Sequence, residues 1–102
     1  MATCYLTFSE VVKTTGPWVL KPDKCVTEVI TLSSSNQKST QVGTGQIDYV
    51  RVLSDADCWL CIGADSGLLP NALTHTASVP IKANVVEHFR VPTGHKVAVT
   101  TG

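Results

Sequence analysis

The sequence predicts an all-β fold, a small antiparallel β-sandwich or barrel of six to eight strands, and three observations lead there. Val, Ile and Thr make up roughly 30% of the residues, and β-branched side chains, stiff at χ1, suit a pleated surface better than a helix. No apolar repeat at helical spacing is sustained over three turns. Short apolar runs instead recur at roughly 8–15-residue intervals between breaks rich in Gly, Pro, Ser and Asp, as in sandwiches and barrels. With 102 residues the chain fits one domain, residues 1–102, that buries about two thirds of its unfolded surface.

The elements follow in order. Residues 3–12 alternate, with Cys4, Leu6 and Phe8 on one face and Tyr5, Thr7 and Ser9 on the other, the period of a half-buried strand. Thr15-Gly16-Pro17-Trp18 is a turn signal followed by a large aromatic, and Pro22-Asp23 reads as a second turn. Residues 25–32 form a strand with Val26, Glu28, Ile30 and Leu32 on one face and Cys25, Val29 and two threonines on the other. Residues 33–46 are polar and Gly-bearing and read as an exposed hairpin region with a weak strand around Thr40 to Val42.

Residues 47–53 make a strong strand, Ser54-Asp55-Ala56-Asp57 a tight turn, and residues 58–62 the expected partner strand ending at Gly63. Residues 63–78 form a long connection of the kind that is often functional or mobile. Strands resume at 79–83, 85–91 and 96–100, with Pro92-Thr93-Gly94 as the expected hairpin turn between the last two.

Composition restricts the partners. Net charge is zero and the eight basic residues are scattered, whereas a nucleic-acid binder displaces counterions with clustered Lys and Arg. Neither nucleic acid nor an anionic membrane is expected as a partner. Charged residues are 16%, against about 25% usually. Two readings stay open: Ser and Thr cover the surface, or part of it is hidden in an assembly, since interface cores are depleted of charge. Met1 to Val12 lacks a basic start and a continuous apolar stretch, so no signal peptide is expected and the product is expected to stay soluble in the cytosol. Cys4, Cys25, Cys58 and Cys61 are then expected reduced, as buried small hydrophobes.

Cys58-Trp59-Leu60-Cys61 is the one motif that suggests an enzyme. A redox Cys-x-x-Cys opens a helix whose dipole stabilises the thiolate, but here it sits in a strand, where residues three apart point to opposite faces. The same divergence spoils the pair as zinc ligands, and His75, His88 and His95 match no zinc spacing, so no metal and no cofactor is expected. Ser54, His88 and Asp57 contain the residue types of a hydrolytic triad without its spacing, and no phosphate loop or nucleophile elbow is present. His88 reads as a surface or cross-strand residue and His95 as a solvated turn residue. The thiols and imidazoles are expected to be held apart by extended backbone, and catalysis is not expected. Trp18 is either a core-plugging aromatic or an exposed interface anchor, Trp being enriched at hot spots. Trp59 is expected to be packed.

From Tyr49 onwards, YVRVLSDADCWLCIGAD, a long loop, and VPIKANVVEHFRVPTGHKVAVTTG resemble small β-sandwich virion proteins of tailed bacteriophages. In that family a Y-V-R-V-x-S-x-x-D-C strand precedes a short apolar strand ending in Ile-Gly or Phe-Gly. A polar loop, a segment like L-P-A-x-x-x-E-x-F-x-V and a P-x-G-x-K-V-A-V hairpin follow. The matching residues are Tyr49, Val50, Arg51, Val52, Asp57, Cys58, Ile62, Gly63, Pro80, Glu87, Phe89, Val91, Pro92, Gly94, Lys96, Val97, Ala98 and Val99. The likeness covers about half the chain.

The resemblance implies a capsid cement (decoration) protein at the capsid surface, assembled in the host cytoplasm. Its partner would be the major capsid protein, whose neighbouring subunits it bridges to stabilise the head, and it would act as a homo-oligomer, with a trimer favoured. Exposed strand edges and contacts repeated about a symmetry axis suit that role. A head–tail connector or tail component is the structural alternative. A ligand- or carbohydrate-binding sandwich is the other, although the two Trp, two Tyr and two Phe are dispersed rather than gathered on one platform.

Overall fold

The computed structural model describes residues 2–12, 19–73 and 78–101. Their backbone forms eight strands and no helix: β1 (Thr3–Val12), β2 (Val19–Thr31), β3 (Gln37–Lys38), β4 (Tyr49–Ser54), β5 (Cys58–Ala64), β6 (Val79–Ile81), β7 (Glu87–Arg90) and β8 (His95–Thr100). The strands make two antiparallel four-stranded sheets, ordered β2-β1-β4-β7 and β3-β8-β5-β6. Their inner faces share one core: Cys4, Leu6 and Phe8 from β1, Ile30 from β2 and Val50 and Val52 from β4 pack with Cys58, Leu60, Ile81, Val97 and Val99 from the other sheet. The all-β sandwich expected from the strand pattern is the fold.

Alternation along β1 sorts its side chains as the sequence indicates: Cys4, Leu6 and Phe8 are buried, and Tyr5 is exposed. β2 differs from expectation. Pro22-Asp23 is no turn, because one strand runs from Val19 to Thr31. The reason is its position at the sheet edge. Ser9 pairs with Cys25 but Val11 with Leu20, so the register slips around Pro22 and the extra residues bulge where no further strand needs a donor.

The 33–46 segment is not an exposed hairpin. Its strand is Gln37–Lys38, not Thr40 to Val42, and it pairs with Val99 and Ala98 of β8. Ser39 is buried, and its hydroxyl donates to the Gln41 carbonyl at 2.9 Å and accepts from the Val97 N–H at 3.1 Å. The Glu28 carboxylate fixes the next residues by accepting from the N–H groups of Thr40 at 2.7 Å and Gln41 at 3.0 Å.

Two expected hairpins are instead crossings between sheets. β4 pairs with β1 and β7, whereas β5 pairs with β6 and β8, so residues 54–57 carry the chain from one sheet to the other. Asp55 is taken by β1, its carboxylate accepting from the Thr3 N–H at 2.7 Å, while the Asp57 carboxylate accepts from the Ala83 N–H at 2.8 Å. Pro92-Thr93-Gly94 likewise joins β7 to β8 across the sandwich. Gly43 is wedged there, accepting from the Gly94 N–H at 2.9 Å and donating to the His95 carbonyl at 2.9 Å. A Cβ at Gly43 would lie 2.2 Å from the Val91 carbonyl oxygen, so only glycine fits.

Candidate interaction surface

The connection after β5 is where chemistry and exposure are most at odds. It lies against the outer face of the β3-β8-β5-β6 sheet: Ala72 is buried with Cys61 and Ala98, and the Pro70 side chain sits over Gly63. Ser66 and Leu69 exchange backbone hydrogen bonds of 3.1 and 2.9 Å, closing a two-residue turn whose first central residue, Gly67, has φ +58°. A positive φ at that position is what such a turn requires.

Three side chains strap this turn to the sheet. The Lys38 ammonium donates to Asp65 Oδ1 at 2.5 Å and to the carbonyls of Gly67 at 3.1 Å and Leu69 at 3.0 Å, which uses all its N–H groups. Lys96 Nζ lies 3.2 Å from Asp65 Oδ2. The hydrogen bond from Lys38, reinforced by Lys96, holds the Asp65 carboxyl below the usual aspartate range. Asn36 acts as a surrogate strand, donating through Nδ2 to the Pro70 carbonyl at 3.1 Å and accepting the Ala72 N–H on Oδ1 at 2.9 Å.

What the straps hold out is apolar. Leu68, at the tip, is 81% exposed and Leu69 58% exposed, with Leu73 also at the surface. Leaving one leucine in water forgoes about 1.5–3 kcal/mol of burial. A fixed loop presenting two of them is a preorganised anchor, since little conformational freedom remains to be lost on docking. On the opposite outer face Tyr5 and Val29, cross-strand partners on β1 and β2, are also exposed. Val79, Val85 and Val86 are exposed along the rim where β6 leads into β7.

Trp18 and His75, and the Thr15-Gly16-Pro17-Trp18 turn, lie outside the described residues. Cys58 points into the core and Cys61 to the outer face beside Ala72 and Ala98, the divergence their strand spacing implies. Ser54 is buried, its hydroxyl donating to the Ala56 carbonyl at 2.6 Å, whereas Arg51, cross-strand partner of His88, is exposed on the other face of that sheet. His88 packs edge-on against the Tyr49 ring at 5.6 Å, so Ser54, His88 and Asp57 do not converge. His95 is half-buried rather than solvated.

Two features escaped the sequence. Cys4 and Cys58 meet in the core, contrary to the expectation that all thiols are held apart. The strapped leucines were folded into a generic long loop, although two leucines between Gly67 and Pro70 in a polar connection were a visible anomaly. A cavity of about 220 Å³ opens beside Asp57, Cys58, Trp59, Pro80, Ile81, Lys82 and Thr101. Among the described residues no group of three or more His, Cys, Asp or Glu is placed to hold a metal ion. Comparison with protein-family models, with curated proteins and with solved structures yields no match.

Proposed function

We propose that this chain is a structural protein of a tailed-bacteriophage particle, a capsid cement protein that bridges neighbouring major capsid protein subunits and stabilises the head. The observation that carries the reading is the strapped turn with Leu68 and Leu69 in solvent. Rigid apolar side chains on a charge-poor surface favour adhesion to another protein over binding of a soluble metabolite. The likeness of the C-terminal half to small virion proteins supports the choice of a capsid lattice. The same residues, Tyr49 to Val99, build β4 to β8 and so frame the turn.

The cavity beside Trp59 favours a ligand-binding sandwich less well. At about 220 Å³ it falls below the usual ligand site of roughly 300–1,000 Å³. An exposed ion pair, Lys82 Nζ to Asp57 Oδ2 at 3.6 Å, joins two of its lining residues.

Co-sedimentation of the purified chain with expanded, undecorated phage heads tests the proposal. Binding at a fixed ratio to capsid subunits, reduced at least tenfold in Leu68→Ser/Leu69→Ser, is the expected result. Saturable binding to tails or connectors alone would replace cement by a neck or tail role. No binding to any virion part would overturn the reading.

A further inference from the structure

We propose that Cys4 and Cys58 form a reversible disulfide tying the two sheets together, made in the folded protein by exchange with a small-molecule disulfide such as oxidised glutathione. The geometry begins in the pairing of β1 with β4, where Cys4 lies opposite Ser54, the last residue of β4. Four residues later the chain re-enters the other sheet at Cys58. That corner is drawn onto the start of β1 by two bonds, Thr3 N–H to Asp55 Oδ1 at 2.7 Å and Asp55 N–H to the Thr3 carbonyl at 3.1 Å. The first inward side chain of β5 therefore lands on the first inward side chain of β1. Both are buried in the same core, and the two thiols lie near enough for each to shift the other's ionisation.

The other two cysteines lack this arrangement. Cys61 faces the outer side of its sheet beside Ala72 and Ala98, and Cys25, on β2, donates its S–H to Ser9 Oγ at 3.3 Å. Cys58 also borders the 220 Å³ cavity, but its side chain points into the core, so exchange at its sulfur proceeds through local opening of the corner at residues 54–57. The pair is electrostatically asymmetric. The neighbouring Cys4 thiol draws Cys58 down to about 7, while Cys58 in turn, followed by burial, pushes Cys4 up. Cys58 is the thiol that ionises first, and thiolate is the nucleophile in exchange.

The Cys58 thiolate attacks one sulfur of oxidised glutathione, the glutathione S–S bond breaks, and one glutathione thiolate leaves and takes a proton from water. Cys4 then loses its proton and attacks the Cys58 sulfur of the mixed disulfide. The Cys4–Cys58 bond forms and the second glutathione leaves as thiol, carrying that proton. The protein gives up two electrons and one glutathione disulfide is reduced to two thiols. The bond closes a long loop in the unfolded chain, the class of disulfide that stabilises most.

The test uses the folded full-length chain, incubated with oxidised glutathione near pH 8, quenched by alkylation and digested without reduction. The expected result is a cross-linked pair of peptides carrying Cys4 and Cys58, a melting temperature raised by on the order of 10 °C, and reversal of both by dithiothreitol. Cys58→Ser should lose the cross-link while glutathione still adds to Cys25. If Cys4 and Cys58 are both recovered alkylated, or are joined to other cysteines, the proposal fails. The peptide map of the unaltered protein decides this even if the variant does not fold.

Discussion

The Lys38 ammonium meets Asp65 Oδ1 at 2.5 Å and, from the same nitrogen, two carbonyls of the turn that carries Leu68. One side chain of a two-residue strand thus fixes a loop some 30 residues further along. Lys38→Met keeps much of the stem and removes all three bonds. Because the site is partly solvated, the expected loss of global stability is small, about 1 kcal/mol. The local effect is larger: the Leu69 N–H, bonded to Ser66, should exchange with solvent at least tenfold faster by hydrogen-exchange NMR.

The same contact sets a pH dependence. Asp65 titrates below the usual aspartate range because of Lys38 and then Lys96. A carboxyl whose folded value is depressed stabilises the fold above its unfolded value, and that contribution fades as pH falls through the folded one. The straps should therefore hold at neutral pH and release in acid below the ordinary aspartate range. Titration of the Asp65 side-chain carboxyl signal, with chemical shifts of Gly67 and Leu68 followed in parallel, should give one shared midpoint. A midpoint at or above the ordinary value contradicts the strap.

Gly43→Ala should be severely destabilising, by about 2 kcal/mol or more, because its methyl would collide with main-chain oxygens that cannot rotate away. The clash is with Val91 O and Pro92 O, at 2.2 and 2.3 Å. Gly45→Ala is the control, since nothing lies near a Cβ there. Urea melts of both variants provide the comparison.

Glu28→Ala removes the acceptor for the Thr40 and Gln41 N–H groups and should cost about 1–2 kcal/mol in a denaturant melt. Glu28→Gln, which keeps one acceptor oxygen, should lose less than half of that.

Phe8→Ala empties the middle of the core and should cost about 3–5 kcal/mol, enough to unfold a domain of this size at moderate temperature. Thermal melting followed by circular dichroism would register it.

What the sequence disclosed was the direction of side chains. Period-two alternation placed Cys4, Leu6 and Phe8 inside and separated Cys58 from Cys61, because extended backbone leaves a side chain no other choice. It did not disclose which strand each strand pairs with. Ser54 to Asp57 has the residues of a tight turn, and the turn exists, but hairpin and sheet-crossing corner draw on the same chemistry. The difference lies in Asp55 bonding Thr3 and Asp57 bonding Ala83, partners far along the chain. The straps were hidden for the same reason. Asn36, Lys38 and Asp65 are ordinary surface residues until β3 and the turn after β5 come together.

The connections β2–β3, β3–β4, β4–β5, β6–β7 and β7–β8 each pass from one sheet to the other. No contiguous piece of that stretch owns a complete layer, so a fragment has nothing to bury its apolar side against. Order must arrive everywhere at once, after distant segments have found each other, which is a slow search for a chain with so few local rewards. Once closed, the lacing works in reverse: no single strand can peel away without dragging its neighbours in both layers, and slow unravelling follows from connectivity rather than from the strength of any one bond.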